Sequence, residues 1–142
     1  MKLIILGEPK PKQSARFAKI GKFMRSYQTK EVKQNEQNIQ AQILAALPEG
    51  FEPFKNPIAI KKLHYVFTPL TSFSKKIKAE IDNGVWIYKS TKPDLTDNLS
   101  KGLFDAMQGI VFLNDSQIVS MTDVKKYYGN VPRIEIEMEE IR

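Results

Sequence analysis

The sequence predicts a single α/β domain of the α+β kind, a mixed β-sheet with helices packed on it. The chain has 142 residues, about the length of one domain, and 42% of them are hydrophobic, which is enough for one core. Apolar residues recur at helical spacing in some segments and at strand spacing in others. The two kinds of segment follow one another in the order β, α, β, α, β, α, β, β.

Two strands and one long helix are predicted in the first half of the chain. In order, the elements are a strand at 2–6, a basic loop to about Thr29, a helix at 29–47 and a strand at 57–67. Proline has no backbone N–H to donate, so Pro9 and Pro11 indicate a loop. In the second strand, Lys61 and Lys62 interrupt the apolar alternation, which indicates a β-bulge.

The remaining helices and strands are predicted in the second half. In order, they are an amphipathic helix at 71–83, a short strand at 85–88, a helix at 97–108 and strands at 117–128 and 133–138. Thr71 or Ser72 can cap the first of these helices, and Asn83 with Gly84 ends it. Residues that precede proline avoid the helical region, so the backbone is expected to be extended before Asp94.

The composition excludes several classes of function. Cysteine is absent and His64 is the one histidine, which excludes disulfide frameworks, thiol nucleophiles and nearly every histidine-dependent triad. His64 lies in a strand-like run without other ligand residues, so we expect it to be structural. No apolar run approaches the ~18 residues of a membrane span, and the first residues do not form a signal peptide. We therefore expect a cytoplasmic protein that does not bind membranes.

Positive charge is concentrated at the start of the chain. The formal net charge of the chain is +6. Residues 1–30 have a net charge of +7, and the remaining residues have a net charge of −1. Basic residues interleaved with aromatic ones suit a polyphosphate backbone, although a solvated basic loop without a partner explains the charge equally well. The candidate DNA-binding residues are Lys10, Lys12, Arg16, Lys19, Lys22 and Arg25, with Lys75 and Lys76 of the amphipathic helix and Lys92.

The aspartates are separated from the glutamates along the chain. Five of the six aspartates lie between positions 94 and 123, and no glutamate occurs between Glu80 and Glu135. Aspartate holds its oxygens close to the backbone, which suits a rigid site for a hard cation such as Mg²⁺ or Mn²⁺. Aspartate is also common at turns and helix caps, so its abundance has an ordinary explanation as well.

Residues 92–101, KPDLTDNLSK, contain the candidate site. Asp97 and Lys101 are four residues apart at a helix start and therefore share one face, and Asp94 precedes them by less than one turn. If Asp115 folds back to the same helix end, three carboxylates and an amine converge and can bind a divalent cation. Each residue also has an ordinary explanation: Asp97 as a helix cap paired with Lys101, Asp94 and Asp115 as turn residues.

The stretch PDLTDNLSK, with FDAMQG and LNDSQIV after it, resembles the signature of the RusA-like Holliday junction resolvases, endodeoxyribonucleases found in phages and prophages. The resemblance covers residues 92–128 well and the rest of the chain more loosely. It implies one RusA-like nuclease domain over residues 1–142. Leu95 and Thr96 separate the paired aspartates where the family usually has one residue, and Asn114 stands where the family often has aspartate.

The resemblance implies a role for each candidate residue. Asp94, Asp97 and Asp115 fall on the family's metal-binding aspartates, and Lys101 falls on its catalytic lysine. It further implies a homodimer that depends on Mg²⁺ or Mn²⁺ and resolves four-way DNA junctions by paired symmetric cleavage. Two alternatives stay open: a DNA- or RNA-binding dimer without catalysis, and a general branched-DNA nuclease.

Overall fold

The computed structural model describes residues 1–11, 16–20, 23–27 and 30–142, and the side chains of residues 12–29 lie outside this description. The strands are β1 (Lys2–Leu6), β2 (Arg16–Ile20), β3 (Phe23–Tyr27), β4 (Ile58–Phe67), β5 (Ile118–Met121), β6 (Val124–Tyr128) and β7 (Arg133–Glu140). The helices are α1 (Lys30–Ala46), α2 (Lys75–Asp82) and α3 (Lys101–Met107). A π-helical turn, Leu95–Ser100, runs directly into α3, and a 3₁₀ turn, Asp115–Gln117, precedes β5.

Five strands form one mixed sheet. β7 lies between β1 and β4 and is antiparallel to both. β5 and β6 are both parallel to β4 and lie one after the other along its second edge. β2 and β3 form a separate antiparallel pair. The predicted mixed sheet with helices packed on it is therefore confirmed.

The hydrophobic core lies between one face of the sheet and the helices. Leu63 and Tyr65 of β4 are fully buried there. α1 packs against β1 and α3 and buries Ile39 and Ile43, whose four-residue spacing places them on one side of the helix. α3 buries Leu103, among others, in the same cluster. The sequence periodicity thus identified the faces that meet in the core.

The opposite face of β4 carries a polar network. His64 is buried, and its ring nitrogens lie 3.0 Å from the Tyr127 hydroxyl and 3.0 Å from the Asp123 carboxylate. Burial holds the pKa of His64 below its usual range, although Asp123 acts in the opposite direction. Lys62 and Glu135 form an ion pair of 2.8 Å on the same face. His64 therefore belongs to the structure of the sheet, in agreement with the prediction.

Several local predictions are also confirmed. The register of β4 against β7 shifts between Ile60 and Lys62, which is the predicted bulge. Asn83 is the C-terminal cap of α2, and Gly84 follows with a positive φ of 81° that glycine adopts without steric cost.

No helix in the described part of the chain is both long enough and apolar enough to cross a membrane.

The predicted basic loop is wrong in part, because β2 and β3 pair with each other within it. These segments contain aromatic residues, which favour extended pairing and outweighed the loop signal of the neighbouring prolines and glycine. The predicted caps of α2 are also wrong. The Ser74 hydroxyl accepts the Ile77 N–H at 3.2 Å, so α2 begins later than Thr71 or Ser72 would place it.

Two strand predictions need correction. Residues 85–88 do not form a strand, since the β-bridge that this segment makes in the described structure joins Tyr88 to Tyr127 alone. The predicted strand at 117–128 is divided into β5 and β6. Asp123 has a φ of 52° at the break, a left-handed conformation that interrupts strand geometry. Its carboxylate accepts a bond from Lys125 at 2.7 Å, which stabilises the turn.

Candidate active site

The segment that carries Asp94 and Asp97 begins as a π-turn, not as an α-helix. The Leu99 N–H donates to the Asp94 carbonyl at 3.1 Å, a bond that spans five residues. Asp94 occupies the N-terminal cap position, but its side chain makes no capping bond, and Asp97 lies in the first turn. The helical segment therefore starts before the predicted residue 97. The alternative in which Asp97 caps the helix is excluded.

A buried chain of hydrogen bonds holds this π-turn against β4. The Ser100 hydroxyl donates to the Leu95 carbonyl at 2.7 Å and accepts from the Tyr65 hydroxyl at 3.1 Å. Burial raises the pKa of Tyr65, so its hydroxyl remains a proton donor. Because Ser100 and Tyr65 are both buried, their hydrogen bonds attach the inner side of the turn to β4. Asp94 and Asp97 are exposed on its outer side.

A second anchor fixes the backbone in front of Asp94. The Lys126 ammonium of β6 donates to the carbonyls of Thr91 at 2.7 Å and Pro93 at 2.8 Å. The Lys92–Pro93 peptide bond between them is cis. The sequence prediction missed Lys126, because alternation in a strand gives no signal for a bond to a distant loop. It also missed Ser100, whose signal was a small polar residue next to buried Leu99.

Asp94, Asp97 and Lys101 are exposed and lie on successive turns of one helical segment. In the described part of the chain, no ion pair joins Asp97 to Lys101, so the predicted pairing is not formed. The carboxylates of Asp94 and Asp97 accept no hydrogen bond from the described residues either. The three side chains are therefore open to an external ligand.

Asp115 lies at the other end of the helical segment. Its N–H donates to the side chain of Gln108, the residue that ends α3, at 3.3 Å. The π-turn and α3 together hold 13 residues, which at ~1.5 Å per residue span about 20 Å. The expectation that Asp115 folds back to the helix start is therefore wrong, because the chain turns just after α3 and continues into β5.

The sheet gives an independent measure of the same separation. Gln117, two residues after Asp115, donates to the Asn56 carbonyl at 3.0 Å, just before β4. Ser100 contacts Tyr65, seven residues after the start of β4 at Ile58, or ~23 Å along a strand at ~3.3 Å per residue. Within the residues described, no three acidic or histidine side chains are close enough to hold a metal ion. Asp94, Asp97 and Asp115 thus do not form one metal site within one chain.

Asn114 explains the local structure around Asp115. Its side-chain oxygen accepts the Ser116 N–H at 2.9 Å, and the Gln117 side chain accepts the Asn114 N–H at 2.8 Å. This reciprocal arrangement is a capping box. Because Asn114 performs the capping, the Asp115 carboxylate is exposed and bonds to none of the described residues. Asp115 therefore lies in a turn, as the ordinary explanation has it, but that turn is a 3₁₀ turn before β5 and the Asp115 carboxylate does not stabilise it.

The candidate DNA-binding residues lie on several elements. Lys75 and Lys76 are exposed on α2, Lys92 is exposed before the π-turn, and Lys10 lines a groove between the end of β1 and α1. The backbones of Arg16, Lys19 and Arg25 belong to β2 and β3, and their side chains are outside the description. Lys12 and Lys22 lie outside the described residues altogether. All nine assignments stay predictions.

The mixed α+β fold agrees with what sequence comparison finds. A family model described as endodeoxyribonuclease RusA matches residues 7–139. The chain therefore belongs to the RusA endodeoxyribonuclease family, and the resemblance of residues 92–128 is confirmed. The uncharacterized protein YqaN of Bacillus subtilis (strain 168) is 37% identical over 79 residues. The match spans about half of each chain, 54% in both cases.

We expect Ser100→Ala to lower the free energy of unfolding by about 1–3 kcal/mol, because it leaves the Tyr65 hydroxyl buried without an acceptor. Tyr65→Phe removes that orphaned group, so the double variant is expected to lose less stability than the two single losses added together. Urea unfolding of the four proteins measures this coupling. Strictly additive losses would show that the bond between Ser100 and Tyr65 does not hold the turn.

Proposed function

We propose that this protein is a Holliday junction resolvase, a structure-selective endodeoxyribonuclease that works as a homodimer with Mg²⁺ or Mn²⁺. The observation that carries the proposal is the family match over residues 7–139 together with the exposed side chains of Asp94, Asp97 and Lys101. They lie just before the π-turn, within it and at the start of α3, and they have no partner among the described residues. Three exposed charged side chains on one anchored helical segment are available to bind an external ligand.

The dimer is proposed from the symmetry of the substrate. A four-way junction has two-fold symmetry, and an isologous dimer has the same symmetry. Such a dimer can present one active site to each of two opposing strands. Basic residues can then hold the arms through phosphate contacts, which position DNA without reading its sequence. Paired cuts at equivalent positions would leave nicked duplexes that a ligase can seal.

The cation requirement is proposed from the type of ligand available. Carboxylate oxygens are the ligands that Mg²⁺ and Mn²⁺ prefer. Asp94 and Asp97 offer such oxygens on one turn, whereas Asp115 does not reach them in the same chain. A complete three-aspartate site therefore does not fit within one chain, and the cation is proposed as a requirement for activity.

A labelled synthetic four-way junction, incubated with the protein and Mg²⁺, tests the proposal. We expect symmetric cuts on opposing strands, ligatable products and complete inhibition by EDTA, with no cutting of a linear duplex of the same arms. Binding without any cleavage would favour the non-catalytic DNA- or RNA-binding dimer. Equal cutting of flaps, forks and junctions, with products that ligase cannot seal, would favour a general branched-DNA nuclease. Either outcome contradicts the proposal.

Replacing Lys10, Lys12 and Arg16 together with alanine should weaken junction binding and reduce its dependence on salt. The slope of log K against log salt should fall by ~0.9 for each DNA phosphate that the variant no longer neutralises. These residues belong to the segment that carries the positive excess. Lys75→Ala with Lys76→Ala on exposed α2 provides a comparison of similar charge. An unchanged slope in the triple variant would show that the N-terminal segment does not contact DNA.

A further inference from the structure

We propose that Tyr88 and Trp86 form a stacking surface for the unpaired bases of single-stranded DNA, beside the segment that carries Asp94 and Asp97. The ligand is a short single strand, with a base on the Tyr88 ring and the phosphates on neighbouring lysines. The proposal goes beyond junction cleavage, and it rests on the proposed function only in taking DNA as the ligand.

The two aromatic side chains are neighbours and remain exposed. Trp86 is 48% exposed and Tyr88 is 56% exposed, and their ring centroids are 6.3 Å apart. Both belong to residues 85–89, which are attached to β6 because the Tyr128 N–H donates to the Ile87 carbonyl at 3.0 Å. Two adjacent large rings in contact with water are available to a ligand that offers a flat apolar face.

Trp86 is held in place on the sheet face that carries the polar network around His64. The ring centroids of Trp86 and Tyr127 are 6.0 Å apart in a stacked arrangement, and His64 meets the indole edge-on at 6.1 Å. The Lys125 ammonium lies 3.6 Å from the indole centroid, a cation–π contact that covers part of the ring. Tyr88 is therefore the ring assigned to stack on a base, and Trp86 supports it from the side. A surface that is fixed before binding loses little conformational entropy when a base stacks on it.

The charges around the rings suit a phosphate backbone. Lys89 and Lys92 lie within residues 85–92, which contain no acid. Lys125 adds a third positive charge, and the Asp123 carboxylate next to it is already bound by Lys125 at 2.7 Å. Basic residues interleaved with aromatic rings are typical of proteins that bind single strands without reading their sequence. The charge therefore favours DNA as the occupant of this surface.

The stacking surface lies close to the candidate active site. Lys126 of β6 joins the two, because its carbonyl accepts the Lys89 N–H at 3.1 Å and its ammonium donates to the Pro93 carbonyl at 2.8 Å. Tyr88 precedes Asp94 by six residues, so the chain between them spans at most ~22 Å. A short strand bound at Tyr88 can therefore extend to the segment that carries Asp94.

The fluorescence of Trp86 tests the proposal, because Trp86 is the one tryptophan of the chain. The full-length protein is titrated in EDTA with an oligothymidylate of about ten nucleotides, within the usual site size of single-strand binding proteins. We expect saturable quenching, since a base stacked on Tyr88 lies against the indole. A duplex of the same length and inorganic polyphosphate offer no unpaired base and should quench little. Quenching by either of them equal to that by oligothymidylate would overturn the proposal.

Substitutions at Tyr88 separate base stacking from apolar bulk. Tyr88→Ala and Tyr88→Leu should each weaken the binding of oligothymidylate by about 5- to 100-fold, the range expected for one lost base–aromatic stack. Tyr88→Phe keeps the ring and should bind like wild type. Leu44→Ala, at a 60% exposed position on α1, is the control and should leave the affinity unchanged. Full affinity in Tyr88→Leu would contradict the proposal, because an apolar surface for a partner protein requires no ring.

The same titration distinguishes this proposal from the proposed function. Saturable quenching in a wild-type protein that cuts no junction would contradict the proposed function and support the stacking surface. A wild-type protein that cuts junctions, but whose fluorescence does not change with oligothymidylate, would contradict the stacking surface alone.

Discussion

Asp97→Asn is expected to reduce junction cleavage by ~10²–10³-fold or more, to below detection in an ordinary assay. Asparagine keeps the size of the side chain but loses the negative charge on which cation binding depends. Asp97 is exposed and does not cap the helix, so the fold should be unaffected. Junction binding, measured by gel shift in EDTA, should be unchanged or slightly tighter because repulsion of phosphate is reduced.

The matched control is Glu49→Gln, the same loss of charge at an exposed position in the loop after α1. It should cut junctions at the wild-type rate. Cleavage by Asp97→Asn at that rate would remove Asp97 from the site. A loss of cleavage accompanied by a lower midpoint of urea unfolding would instead indicate a structural role, since a functional loss leaves stability intact.

The sequence predicted the parts of the fold that depend on local spacing. α1 and the bulge in β4 follow from apolar periodicity, and the end of α2 follows from Asn83 and from Gly84, which adopts a positive φ without steric cost. The pairing of β2 with β3 and the break at Asp123 did not follow. Both depend on contacts that spacing does not encode, since the turn at Asp123 is stabilised by Lys125 and His64.

The candidate site was predicted as a set of residues but not as an arrangement. Leu95 and Thr96 make the interval between the aspartates one residue longer than the family pattern. Asp94 precedes the π-turn, and Asp97 lies in its first turn. The position of Asp115 could not be predicted, because it depends on where the chain turns after α3. Family resemblance predicted the residues, whereas their arrangement depends on the topology.

Lys101→Ala is expected to slow junction cleavage by ~10²-fold with little change in binding, as for a group that acts mainly on charge developing during the reaction. Lys101 is exposed at the first position of α3, one turn after Asp97, and its side chain pairs with no described acid. An amine held there without a partner is available to a phosphate oxygen. Single-turnover assays measure the rate of cleavage and separate binding assays measure the affinity for junctions, so the two effects are distinguished.

Lys101→Arg distinguishes a charge from an amine of defined size. Arginine keeps the positive charge, but its guanidinium is planar, larger and does not deprotonate in this pH range. We therefore expect Lys101→Arg to cleave nearly as slowly as Lys101→Ala while binding junctions as well as wild type. Recovery of most of the rate by arginine would mean that charge alone suffices. A loss of affinity equal to the loss of rate in Lys101→Ala would make Lys101 a phosphate anchor rather than a group that acts on the reacting atoms.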